Sequence, residues 1–212
     1  MTKKEKVKII LTFLEENYED AKCFLNYSKP YELLIAARLS AQCTDKRVNM
    51  VTKKLFLKYD DITSLATASF EEIKKIINSC GLANVKSKDI INISLDLINK
   101  FNKKVPNDMK NLVSLPGIGR KTANLVLAEI YNKPAIIVDT HMIRISNRLG
   151  LVTNEKNAMK IENVLIKLIP KNKSAKFCHM IVSFGRDLCK SKKPICEKCK
   201  LKKICLYINK FM

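Results

Sequence analysis

Apolar residues recur at helical spacing along almost the whole chain. Val7, Ile10, Leu11, Leu14 and Tyr18 mark a first helix, and residues 31 to 43 are apolar on nearly all sides, as expected of a helix buried at the centre of a domain. Val48, Val51 and Leu55 mark another. Ser69 and Glu72 form a capping-box pattern ahead of Ile73, Ile76, Ile77 and Cys80, with Gly81 placed to stop that helix. Ile90, Ile91, Leu97 and Ile98 continue the pattern, and further helices are expected near 108–114, 120–131, 141–149, 155–168 and 174–186. Only Ala135 to Val138 reads as strand-like. A run that short, bounded by Pro134 and Asp139, cannot build a sheet, so the predicted class is all-α. No internal repeat or low-complexity linker is visible, and composition marks no domain boundary.

At 212 residues and 47% hydrophobic, the chain can bury the core of one large domain or two small ones. It has no basic-apolar-small leader and no apolar run approaching the roughly 18 residues of a membrane span. A cytoplasmic location is therefore expected, at the nucleoid if the source is prokaryotic, with no membrane partner. Eight cysteines would stay reduced there, and Cys23, Cys43, Cys80 and Cys178 read as core thiols. The net charge of +20, from 40 basic against 20 acidic residues, attracts polyanions and makes nucleic acid the first candidate partner. Only six of the 40 are Arg, however, and a chain rich in Lys, Ile and Asn also fits a coding bias of its source. An acidic membrane surface matches less well, because no segment joins a basic face to exposed aromatic anchors.

The most specific chemical signal closes the chain: Cys189-x6-Cys196-x2-Cys199-x5-Cys205. This spacing puts four thiolates within reach of one iron-sulfur cluster. A structural zinc site would more often show two CxxC knuckles a dozen or more residues apart, although zinc remains open on ligand type. The spacing also differs from the ferredoxin runs, which argues against an electron carrier. Four unrelated buried thiols fit poorly, since Lys, Pro and Glu fill the gaps between them.

A second signal is Leu115-Pro116-Gly117-Ile118-Gly119-Arg120-Lys121-Thr122, set between two helical segments. Its glycines allow a tight turn that exposes consecutive amides at the start of a helix, where a phosphate oxygen binds well. The pattern is a helix-hairpin-helix signature; a plain inter-helix turn is the bland alternative. Lys121 follows directly and is either a phosphate contact or a nucleophile. Attack on a sugar carbon needs the free amine, so a neighbour must take its proton, and Asp139 in Val138-Asp139-Thr140-His141 is the plausible helper once folding brings it close. In isolation Asp139 reads first as the N-cap of the next helix and Lys121 as a surface charge.

With LPGIGRKTAN, VDTH and the four-cysteine tail in this order, nearly the whole chain resembles the endonuclease III family, DNA glycosylases of the helix-hairpin-helix superfamily. Further matching segments are Leu33 to Ala36 running into Leu39-Ser40-Ala41-Gln42, then Thr44-Asp45, Gly81-Leu82, and His179 with Gly185-Arg186. The resemblance implies two helical domains with a DNA-binding cleft between them. Residues 23–132 would form a six-helix barrel domain carrying the hairpin; residues 1–22 and 133–212 would form an iron-sulfur cluster domain from both chain termini. It implies Lys121 as nucleophile and Asp139 as the group that activates it. It places Gln42 and Leu82 where side chains enter the duplex, although Ala83 stands where an aromatic residue often follows that Leu. It implies a 4Fe-4S cluster on Cys189, Cys196, Cys199 and Cys205 that shapes the basic loop Lys190 to Ile195. Lys190, Lys192 and Lys193 would then meet phosphates, together with the hairpin residues Gly117, Ile118, Gly119 and Arg120. His141 is expected at the DNA or as a buttress of the active-site loop, and His179 as a packing histidine.

The implied reaction is that of a bifunctional base excision repair enzyme, with a monomer acting on double-stranded DNA that carries damaged bases or abasic sites. Lys121 attacks C1′ of an everted nucleotide, an oxidised pyrimidine departs, and the Schiff base permits β-elimination. Three rivals differ in kind: an adenine glycosylase on the same scaffold, which would lack the lysine; a DNA-binding module without catalysis; and a zinc-stabilised nucleic-acid-binding protein, which would be colourless where an iron-sulfur protein is brown.

Overall fold

The computed structural model describes residues 1–208. All of its regular secondary structure is helical, and no strand occurs among the described residues. The expected strand-like run Ala135 to Val138 is buried and has no secondary structure or partner strand. Side chains of the helix Ser174–Asp187 serve its amides instead: Ser174 Oγ accepts from Ala135 N at 3.3 Å and Cys178 Sγ from Ile137 N at 3.2 Å. No described helix is long and apolar enough to cross a membrane.

The chain divides into two compact units, Cys23–Tyr131 and Met1–Lys22 with Asn132–Met212; residues 209–212 of the latter lie outside the described residues. The contiguous unit holds α2 (Pro30–Leu39), α3 (Asp45–Lys58), α4 (Ile62–Ala66), α5 (Phe70–Ile77), α6 (Ala83–Phe101), α7 (Met109–Ser114) and α8 (Arg120–Tyr131). Helix α2 is its core: every residue from Tyr31 to Leu39 is buried. It starts where Pro30 presets the first helical turn and Glu32 accepts from the Ser28 and Lys29 amides at 2.6 and 3.2 Å. It stops at Leu39, four residues before the apolar run ends, because Gln42 takes a left-handed backbone at φ +56°. The Ser69–Glu72 box does not form. Ser69 makes no side-chain cap, and the Glu72 carboxylate that would complete the box instead accepts from the Tyr59 hydroxyl at 2.8 Å and pairs with the Lys58 ammonium at 2.9 Å. Gly81, at φ +67°, ends the 3₁₀ turn Asn78–Cys80 that extends α5.

The terminal unit packs α1 (Lys3–Tyr18) with α9 (Thr140–Arg148), α10 (Ala158–Leu168) and α11 (Ser174–Asp187). Thr2 and Glu5 close a reciprocal capping box on α1. Phe13 and Phe184 meet edge to face with ring centroids 5.4 Å apart, and Tyr18 completes the cluster by donating to Asp187 at 2.9 Å. After α11 the chain has no further α-helix among the described residues, only the short turns Cys196–Lys198 and Lys200–Ile204.

Candidate functional site

The hairpin lies in the contiguous unit, between α7 and α8. Leu115 and Ile118 are buried, and the Ile118 amide closes the turn on the Leu115 carbonyl at 3.1 Å. These two apolar anchors leave Gly117 and Gly119 at the surface. Gly117 is required: its φ is +68°, and a Cβ there would collide with the Arg38 side chain and lie 2.5 Å from Asp89 Oδ2. The first amides of α8 have no intrahelical carbonyl to bond, which suits an anion. Arg120 and Lys121 stand exposed on that first turn.

Two further loops of the same unit carry Gln42 and Leu82. Both residues are exposed, Leu82 by 55%, and both hold left-handed backbone, at φ +56° and +50°. For Leu82 an exposed leucine thus sits in a conformation that costs about 1–2 kcal/mol.

What holds these loops is a residue that pattern reading passes over. Lys86 is 0% exposed, and its ammonium donates to the carbonyls of Leu39 and Ala41 at 2.8 Å each and Cys80 at 2.7 Å. Burial pushes its pKa below the ordinary lysine value, while the Cys80 and Cys43 sulfurs pull the other way. One helical turn on, Asp89 pairs with Arg38 at 2.6 Å, with both side chains largely buried (14% and 10% exposed). The signal for Lys86 was present: it stands in register with Ile90, Ile93 and Leu97 on the buried face of α6.

In the terminal unit, Asp139 is the N-cap of α9, its Oδ1 accepting from Met142 N at 2.8 Å. A carboxylate has about four lone-pair sites, so capping leaves acceptor capacity for other work. Half-buried His141 accepts at Nδ1 from Arg144 Nη2, 3.1 Å away, because a guanidinium only donates. Arg144 also bonds the carbonyls of Gly185 and Cys189 at 3.1 and 3.0 Å. A Cβ on Gly185 would lie 2.5 Å from His141 Nδ1, so only glycine admits this approach. His179 is buried on α11, as expected of a packing residue.

Cys189, Cys196, Cys199 and Cys205 form no disulfide and together line one pocket. Burial raises the Cys196 and Cys199 thiols above their ordinary value, and the neighbouring cysteine sulfurs raise them further. No three His, Cys, Asp or Glu side chains among the described residues converge closely enough to hold a metal ion. A single zinc would need all four sulfurs about 2.3 Å from one point. The pocket is lined by these four cysteines with no histidine or carboxylate, a soft donor set that suits an iron-sulfur cluster as well as zinc. Arg148 braces the loop beside it, donating to Cys189 Sγ at 3.3 Å, Lys190 O at 2.7 Å and Ser191 O at 3.1 Å. Its guanidinium also lies 4.2 Å from the Tyr207 ring centroid. Lys190, Lys192 and Lys193 project from this loop, all exposed.

The sequence model of the HhH-GPD superfamily of base excision DNA repair proteins matches residues 35–171. An endonuclease III of Synechocystis sp. is 42% identical over 205 residues, covering 96% of this chain and 93% of its own. Among solved structures, a non-covalent endonuclease III–DNA complex superposes with a TM-score of 0.95 at 40% identity, covering 100% of this chain and 99% of that one. A trapped endonuclease III–DNA covalent intermediate gives 0.94 at the same 40%, covering 100% of both.

Proposed function

Since the chain belongs to the HhH-GPD superfamily of base excision DNA repair proteins, and within it to the endonuclease III family, we propose that Lys121 and Asp139 perform its reaction on everted oxidised pyrimidines. The protein is a bifunctional DNA glycosylase and abasic-site lyase acting on double-stranded DNA. The observation that carries the residue assignment is the exposed amine of Lys121 on the first turn of α8, directly behind a hairpin whose amides suit a phosphate.

In this reading the hairpin grips the backbone through the amides of Gly117, Gly119 and Arg120, with buried Ile118 keeping the turn in shape. Gln42 and Leu82 fill the gap that the everted nucleotide leaves, at a cost of a few kcal/mol that is smallest for a weakly paired lesion. Neutral Lys121 Nζ attacks C1′, the bond from C1′ to the base breaks, and the base leaves with a proton. Asp139 takes the proton lost by the amine and steadies positive charge on the sugar. The C1′–O4′ bond then opens, O4′ taking the proton held by Asp139, to give the Schiff base, which acidifies C2′; loss of that proton breaks the C3′–oxygen bond, and water then frees the lysine. His141, held by Arg144, buttresses the loop behind Asp139.

Cys189, Cys196, Cys199 and Cys205 would hold a 4Fe-4S cluster, whose part when bound is to fix the Lys190 to Ile195 loop for phosphate contact. Reduced cysteine ligands are consistent with a cytoplasmic setting. The test is borohydride trapping on duplexes with single defined lesions. Wild-type protein yields a covalent complex, and Lys121→Gln yields none while retaining DNA affinity. Trapping by that variant at the wild-type level overturns the assignment.

A further inference from the structure

Lys86 is an unusual residue to find at the centre of a domain: a fully buried ammonium with three backbone carbonyls and no carboxylate around it. Those carbonyls have a common origin. Leu39 is the last residue of α2, Ala41 lies in the turn just after it, and Cys80 is the last residue of the 3₁₀ turn that prolongs α5. Helix ends leave carbonyls without intrahelical donors and carry partial negative charge. An ammonium offers three donors on one centre, so a single side chain caps both ends at once. Immediately beyond the two capped ends stand Gln42 and Leu82, each in left-handed backbone. One helical turn along α6, Asp89 fixes Arg38, and the pair lies where Gly117 of the hairpin rests.

We propose that Lys86 is a positioning residue which sets the Gln42 and Leu82 loops in register, and that the first two turns of α6, through Lys86 and Asp89, align both loops with the hairpin. The proposal rests on the reading of Gln42 and Leu82 as residues that enter the duplex. Lys86 touches neither DNA nor the reacting atoms. It acts by fixing the carbonyls from which the two loops start. Its loss therefore affects the steps that need eversion from a duplex and spares those that do not.

The test compares two substrates with the full-length protein under single-turnover conditions: a duplex with one oxidised pyrimidine, and a single-stranded oligonucleotide with a preformed abasic site. Lys86→Met, which keeps the length and removes the donors, is expected to slow the duplex reaction about 10²-fold, the scale of a misplacement of about 1 Å remote from the chemistry. Strand scission on the single-stranded substrate is expected to stay within about twofold of wild type, since nothing there requires eversion. Gln42→Ala with Leu82→Ala should reproduce the duplex-selective loss, and adding Lys86→Met should add little, because all three changes remove one function.

If the Gln42 and Leu82 changes leave the duplex rate intact, the reading of those residues fails. If they slow it while Lys86→Met does not, or if a folded Lys86→Met loses both substrates equally, the positioning role fails. Should that variant not fold, amide hydrogen exchange on the wild-type protein decides. Shared slow exchange of segments 39–43 and 78–83, despite their loop character, supports a common clamp; fast and independent exchange overturns it.

Discussion

Loops are held from within in the contiguous unit and braced from alongside in the terminal unit. In Cys23–Tyr131 a buried ammonium on α6 donates to the loop carbonyls directly, and a largely buried ion pair ties α6 to α2. In the other unit the basic loop after Cys189 is tied to α9 by the Arg148 guanidinium, beside four cysteines that line a cavity. The first arrangement is complete in the side chains present. The second keeps four thiol donors together, and on the proposed cluster reading metal binding and folding would be one equilibrium there.

Stripping iron should break the comparison most visibly. Chelation after oxidation is expected to remove stability on the order of 10 kcal/mol, by analogy with structural metal sites, from the segment around Cys189 to Cys205. Hydrogen exchange and limited proteolysis would show opening there while Cys23–Tyr131 stays protected. Equal loss in both units would deny that the terminal unit alone depends on the group.

A mutation can strike the other unit instead. Gly117→Ala puts a methyl group into the Arg38–Asp89 pair at a backbone φ of +68°. A cost of about 2–4 kcal/mol follows from strain and overpacking, read as a lower denaturation midpoint. A neutral result would mean that the hairpin does not rest on that pair.

A gentler probe concerns the basic loop. If Lys190, Lys192 and Lys193 each neutralise a phosphate, changing all three to Ala should flatten the slope of log affinity against log salt by about 0.9 per contact. An unchanged slope would return them to being solvated charges.

The smallest effect is a titration in the contiguous unit. Burial, with the Glu129 charge second, pushes the Tyr27 hydroxyl up to about 12, and burial, with Glu32 second, does the same for Tyr31. Both pKa values are raised above the unfolded value near 10, so the stability they contribute is fully present below about pH 10 and is lost as pH rises through 12. Phenolate absorbance should therefore lag that of exposed tyrosines; full ionisation by pH 11 would contradict the burial.

The hairpin turn was legible because it follows from a local string of residue types, and Lys121 and the cysteine tail stand out as candidates for the same reason. The failures are non-local. Ser69 and Glu72 had the right pattern for a capping box, but Tyr59 and Lys58 compete for the same carboxylate across the fold. The apolar run of α2 hid its own end, since Leu39 to Ala41 are capped by a side chain some 45 residues downstream. Lys86 was missed because a lysine reads as surface, and only its place in the stripe with Ile90, Ile93 and Leu97 says otherwise. Arg148 left no pattern at all: the carbonyls it binds are set by the folded loop and not by any motif.

The central claim is that one amine carries the chemistry, and the direct test is to locate the covalent bond. Wild-type protein reduced with borohydride on a duplex abasic site would be digested and its peptides sequenced by mass spectrometry. The account predicts the deoxyribose remnant on Lys121. A remnant on the amino group of Met1 or on any other lysine would contradict it.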